Sequence, residues 1–240
     1  MTSWPRSPVE LPALQNSIHI WAVRLDDATV DFNRGRDLLS PEERERAARF
    51  KFERDRRRYL VAHIALHGIL RRYLPSEPAR VSFDIGANGK PRLPQALASS
   101  GVEFNLSHSH EMALLAVCRK REVGVDIEYG KEDFEFQEVA ERFFTAREVA
   151  AMRGLPVSLQ RQAFFKCWTS KEAFLKAKGT GLSGALDEVE ITLTAAEQVR
   201  ITAGVPGWSL SEVDPIDGYE GALVVANAPV PICYYVWQQP

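Results

Sequence analysis

Two short segments about forty residues apart constrain this chain more than any other feature. Gly124-Val125-Asp126-Ile127-Glu128 alternates like a strand, and Trp168-Thr169-Ser170-Lys171-Glu172-Ala173-Phe174-Leu175-Lys176 repeats like a helix. In a strand, side chains two apart share a face, so Asp126 and Glu128 can converge on one point. In a helix, side chains four apart share a face, so Glu172 can deliver a third carboxylate and Lys176 a cation one turn on. Phe164, Phe165, Trp168 and Leu175 propose an apolar stripe beside Glu172, where a carboxylate without a partner is costly. Three hard oxygen ligands with an adjacent ammonium suit Mg²⁺ holding a diphosphate. Each piece alone also has a plainer reading. Asp126 and Glu128 fit the wet face of an edge strand, Thr169 and Glu172 fit a capping box, and Glu172 with Lys176 fits a surface ion pair.

Around these segments the sequence predicts sheet and helix, then sheet and helix again. Ile18 to Leu25 alternates as a strand. Ser40-Pro41-Glu42-Glu43 carries a hydroxyl cap, a proline at the first helical position and an acid at the third, which starts a helix. Arg54 to Tyr73 continues helical until Pro75. Val81 to Ile85, Val102 to Leu106, Met112 to Cys118 and Val123 to Glu128 read as strands, and Gly86 to Pro91 is turn chemistry that presents Lys90. Thr145 and Glu148 form a second capping box, and Gly154-Leu155-Pro156 ends that helix in an exposed apolar loop candidate ahead of a helix from Leu159 to Lys178. Strands follow at Val189 to Leu193, Trp208 to Val213, Ala222 to Val225 and Ile232 to Trp237. We expect a loose tail at 1–14, an α+β half at 15–120 and a second α+β half at 121–240.

The 240 residues carry a formal net charge of −2, which argues against general nucleic-acid binding. The charge is uneven: Arg44 to Arg72 holds ten basic residues against three acidic ones, a candidate anion site as well as a solvated helix face. Arg46, Arg49 and Arg58 suit a terminal phosphate there. Cys118, Cys167 and Cys233 are odd in number and widely spaced, so no disulfide framework is expected, and a cytoplasmic location fits. No apolar run reaches membrane-spanning length.

His108 lies between Ser107 and Ser109, an adjacency wrong for a Ser-His catalytic pair, and there is no G-x-S-x-G elbow. His108 and His110 could bind zinc as strand neighbours, which leaves a metal-dependent hydrolase using Asp126 as one rival reading. A non-catalytic nucleotide sensor is another. His63 and His67, one turn apart on an apolar helix, read as packing, and His19 gives no signal.

In this order the pieces resemble the 4′-phosphopantetheinyl transferases, in particular the larger surfactin-type enzymes. The resemblance runs from Ser40-Pro41-Glu42 through Gly89-Lys90-Pro91, Phe104-Asn105-Leu106-Ser107-His108-Ser109, Gly124 to Glu128 and Arg142-Phe143-Phe144 to Trp168 to Lys176, and on through Lys178-Gly179-Thr180-Gly181-Leu182-Ser183. It implies two similar α+β halves with pseudo-twofold symmetry and coenzyme A bound in the cleft between them. It implies transfer of 4′-phosphopantetheine from coenzyme A to a serine of an apo acyl or peptidyl carrier protein, with release of 3′,5′-ADP. Asp126, Glu128 and Glu172 match the family's Mg²⁺ ligands, and Lys176 its lysine at the transferred phosphate. Arg46 falls on a 3′-phosphate contact, Arg58, Lys90, Pro91, Ser107 and His108 fall on further coenzyme A contacts, and Glu43 stands where the family is often basic. Trp168 supports the site. Glu172 is our candidate for the base that takes the serine proton, with Glu148 as a second candidate. The expected protein is a monomer whose partner is a small, often acidic carrier domain of fatty acid, polyketide or nonribosomal peptide synthesis.

Overall fold

The structure, a computed structural model, describes residues 4–239 except 76, 77, 79, 87, 88, 132, 181–185, 187, 188, 196–198, 204 and 215, and it omits the side chains of 194, 195 and 199–203. The glycine-rich stretch at 181–183 therefore lies outside the described residues. Two compact units emerge, one of Ser3–Lys120 with Val230–Pro240 and one centred on Arg121–Pro229.

The first unit holds β1 (Ile18–Arg24), β2 (Asp84–Ile85), β3 (Pro91–Arg92), β4 (Val102–Ser109) and β5 (Met112–Arg119), with helices α1 (Phe32–Arg36), α2 (Pro41–Ala48) and α3 (Glu53–Leu70). The second holds β6 (Val123–Tyr129), β7 (Ile191–Ala195), β8 (Val199–Ala203), β9 (Trp208–Val213) and β10 (Tyr219–Ala226), with α4 (Phe136–Phe143), α5 (Ala146–Arg153) and α6 (Val157–Lys178). The last strand, β11 (Ile232–Val236), returns to the first unit and pairs parallel with β1, Ile18 opposite Ile232. The strand order there is β11-β1-β5-β4. This corrects the expected division at 121–240, because a parallel partner for β1 can come from any distance along the chain.

The expected loose tail is also tied down. Pro5 accepts a hydrogen bond from the Val236 amide at 2.8 Å, Trp4 packs on Tyr234, and Leu14 is buried. Proline carbonyls can accept from a sheet edge even though proline cannot donate to it.

Both capping boxes form. Ser40 caps α2 with Glu43, and Thr145 caps α5 with Glu148. In the first unit α3 lies against β5 and buries Val61, Ala62, Ile64, Ala65, Leu66, Ile69 and Leu70. In the second, α6 crosses β6 and β10 of the sheet β6-β10-β9. Its core is largely aromatic, with Phe164 stacked on Phe144 and meeting Phe165 edge to face. No helix among the described residues is long and apolar enough to cross a membrane.

His19 carries structure despite its silence in the sequence. It is fully buried on β1, with Nδ1 2.9 Å from the Tyr73 hydroxyl, which also accepts from Trp21 Nε1 at 2.8 Å. The Tyr73 hydroxyl thus ties His19 and Trp21 together inside the core. Burial pushes its imidazole down to about 4. The unfolded chain, with an ordinary histidine, takes up the proton first. The contribution of His19 to stability is therefore complete above about pH 6.5 and is lost as pH falls towards about 4. A His19→Gln variant should show a flatter fall of unfolding free energy across that window in urea titrations. An unchanged slope would assign the acid sensitivity to other groups.

Candidate active site

The strand-and-helix pair inferred from sequence meets at Gly124. A Cβ at this position would run into the carbonyl of Ala173 and the backbone of Ala177, whose Cα would lie 3.0 Å away. Only glycine lets the α6 backbone settle on β6 this closely. Two residues further along β6, Asp126 is 3% exposed, and Lys176 Nζ donates to its Oδ1 at 2.6 Å. One turn back on α6, Glu172 comes close enough to both acids of β6 to feel their charge. Gly124 thus sets the spacing on which the whole cluster depends, a role that the motif letters do not announce.

Glu172 is the unusual member. Its Oε1 is buried and has no hydrogen-bond partner among the described residues. Burial first, and then the charge of Asp126, push its carboxyl up to about 7; Lys176 pulls it back in part, and Glu128 adds a smaller push. A carboxylate in this position lacks positive charge on one side. Trp168 holds the helix from behind, stacked on Phe164 at 6.0 Å and edge-on to Phe143. It is partly buried in the aromatic core, in keeping with a supporting role.

Asp126, Glu128 and Glu172 offer only oxygen donors, the chemistry a hard divalent cation takes, and the orphaned Glu172 oxygen is compatible with such a cation. Among the described residues no group of three or more His, Cys, Asp or Glu side chains is already gathered in metal-holding geometry. The Lys176 ammonium sits against Asp126 and supplies the nearest positive charge.

The other expected site residues lie in the first unit. Arg46 of α2 is over the Tyr59 ring, 5.6 Å from its centroid. Arg58 donates from Nε to Asp26 Oδ1 at 2.8 Å and from Nη2 to Oδ2 at 2.6 Å, so two of its five donors are committed. Lys90 and Pro91 sit on the β2–β3 hairpin, where Gly86 N bonds the Lys90 carbonyl at 3.0 Å and Gly89 takes a left-handed turn. Ser107 is buried and His108 exposed, as neighbours on β4 must alternate.

Four readings change. Glu148, the second candidate base, is a buried structural anchor: its Oε1 accepts from the Ile191 amide at 2.7 Å and lies 2.8 Å from Lys171 Nζ. His108 and His110 are not strand neighbours, because β4 ends at Ser109 and His110 has a positive φ of 51°. His63 and His67 are more than packing: both bind Glu43, at 2.7 Å and 2.8 Å. Burial alone would push the Glu43 carboxyl up, but these hydrogen bonds hold it well below the usual range. Glu43 is therefore occupied by histidines where the family is often basic. The fourth is the apolar loop after α5: Leu155 packs on the core, and the exposed Val157 is the first residue of α6.

In the second unit, then, Asp126 and Glu128 of one strand lie near Glu172 and Lys176 of one helix. The chain matches two family descriptions, "4'-phosphopantetheinyl transferase superfamily" over residues 122–224 and "4'-phosphopantetheinyl transferase, N-terminal" over residues 26–120. It is 40% identical over 225 residues to the 4′-phosphopantetheinyl transferase HetI of Nostoc sp. (strain PCC 7120), covering 94% of each chain. It is 30% identical over 198 residues to the 4′-phosphopantetheinyl transferase Sfp of Bacillus subtilis, covering 81% of this chain and 85% of Sfp. The chain belongs to the 4′-phosphopantetheinyl transferase superfamily. It is an enzyme that moves 4′-phosphopantetheine from coenzyme A to a serine of a carrier protein.

Proposed function

We propose that the transfer runs on Asp126, Glu128 and Glu172 as ligands of Mg²⁺, with Lys176 at the transferred phosphate. The observation that carries this is the buried Glu172 oxygen without a hydrogen-bond partner, close to Asp126 and its bonded Lys176. Mg²⁺ held there would polarise a phosphoryl oxygen and neutralise the charge that builds on the leaving 3′,5′-ADP. Lys176 then binds and orients the β-phosphate, exchanging its bond to Asp126 for one to the phosphoryl oxygen. Such preorganised charge supplies most of the acceleration in phosphoryl transfer. Glu172 is the carboxylate we propose takes the proton of the carrier serine as the serine oxygen attacks, through the oxygen that a bound cation would leave open.

Arg46, Arg58, Lys90, Pro91, Ser107 and His108 are the proposed coenzyme A contacts of the first unit. Arg58 keeps donors to spare beyond those given to Asp26, so it can serve a phosphate without leaving its carboxylate. Lys90 offers a point charge from a tight hairpin. We place the enzyme in the cytoplasm, as a monomer acting on acyl or peptidyl carriers and on no nucleic acid.

The test is intact-mass spectrometry of several apo carrier proteins incubated with the enzyme, coenzyme A and Mg²⁺. The expected result is a phosphopantetheine increment that disappears on chelation and returns with added Mg²⁺. Full transfer in chelator would remove the metal from this reading.

A further inference from the structure

A cavity of about 290 Å³ lies among α1, α2 and α3, wholly inside the first unit and apart from every residue given a role above. Its floor is apolar: Leu39, Ala47 and Ile64 are each no more than 3% exposed, with Phe32 and Leu60 beside them. Arg36, Arg44 and Arg56 also line it, and no carboxylate does. Arg56 has a surface partner in Glu53 at 3.2 Å. Arg36 and Arg44 have no ion-pair partner among the described residues.

The walls are fixed before anything enters. Asp31 caps α1, and its backbone is clamped both ways by the Gln239 amide, at 2.6 Å and 3.0 Å. Arg57 lies over the Phe32 ring at 4.7 Å and donates to the Asp27 carbonyl at 2.7 Å. Gly35 has no Cβ, which would fall 2.5 Å from Ile64 Cδ1, so α1 sits directly on α3. The hollow persists because Ala47 and Ala48 are short where a longer side chain would fill it.

Three arginines with no carboxylate among the lining residues give the hollow a positive rim, which suits an anion. The apolar floor gives a small hydrated anion nothing in return for its water, whereas an apolar chain gains by leaving water. A ligand that answers both demands has a carboxylate head and a compact apolar body. The space of about 290 Å³, open at its mouth, suits the chain of such a ligand with its head at the rim. We propose that this cavity binds a medium-chain carboxylate, its head held by Arg36, Arg44 and Arg56 and its chain laid on Leu39, Leu60 and Ile64. The inference does not depend on the metal or base assignments.

The test is calorimetric titration of the full chain with decanoate below its micellar range, beside decanol and acetate. Decanoate should bind saturably with one site, and decanol and acetate at least tenfold more weakly. Arg44→Glu and, on a different helix, Arg36→Glu should each weaken decanoate at least tenfold. Ala48→Phe should abolish binding by filling the hollow. All three should keep the parent's melting temperature. Equal binding of decanol and decanoate overturns the proposal, as does decanoate binding unmoved by the folded variants. Absence of saturable decanoate binding to the parent overturns it outright, including the case in which an acidic peptide binds instead.

Discussion

Glu172→Gln is expected to lose carrier modification by about 10³-fold while leaving the fold intact or slightly firmer. The loss follows from removing a general base, typically worth 10²–10⁴-fold, from a residue that also donates to the metal. The gain in stability follows from the same atom. Glu172 Oε1 is buried without a hydrogen-bond partner among the described residues, and the charge of Asp126 opposes its ionisation. A neutral amide of the same shape removes that repulsion, and sites built for chemistry commonly give up stability to hold such groups. Single-turnover rates and melting curves on one preparation give both numbers. Retained turnover would exclude Glu172 as the base, and a sharply lowered melting temperature would make the carboxylate structural.

Glu148→Ala is expected to cost about 3–5 kcal/mol of stability, the range for stranding one charge of a buried pair. Lys171 and Glu148 side chains are both 0% exposed. The ammonium donates to the Leu186 and Val189 carbonyls at 2.7 Å and 2.6 Å, and lies over the Phe144 ring. The carboxylate meanwhile completes the α5 capping box and takes the first amide of β7. Removing it leaves the cation with dipoles but no counter-charge. A double variant, Glu148→Leu with Lys171→Met, should recover at least half of the loss in urea unfolding, because an apolar pair of similar size needs no desolvated charge. A loss below about 1 kcal/mol in the single variant would mean that water reaches Lys171.

The elements most legible in the sequence were those whose causes are local. The cap at Ser40 and the cap at Thr145 each need only four residues to declare themselves, and both stand where the sequence puts them. Alternation likewise placed β5 and β6, and the long periodic stretch placed α6. Less legible was whatever depends on a distant partner. Glu43 looks like a capping residue, which it is, but nothing nearby says that two histidines of α3 will also bind it. Glu148 has the same double use, and its proximity to the metal motif made it resemble a catalytic acid. The uncapped α4 carries no strong start signal, since it begins after Glu135 without a side-chain cap, and α1, though capped by Asp31, is only five residues long. At the site, the spacing put Asp126 and Glu128 on one strand and Glu172 and Lys176 on one helix, as the structure has them. The close approach that unites them required seeing helix backbone against Gly124.

The pairing of β11 with β1 also bears on how the chain is made. β1 leaves the ribosome early, yet its outer neighbour is encoded more than two hundred residues later, after all of the second unit. Until Ile232–Val236 emerges, one long flank of β1 offers bare amides and carbonyls to any extended strand in the vicinity. During synthesis at roughly 5–20 residues per second, that flank stays open for more than ten seconds. Nascent chains of this enzyme should therefore depend on holding factors at the ribosome more than chains whose first sheet closes on itself. Premature stop codons that remove Ile232–Val236 should yield aggregates rather than a shortened enzyme.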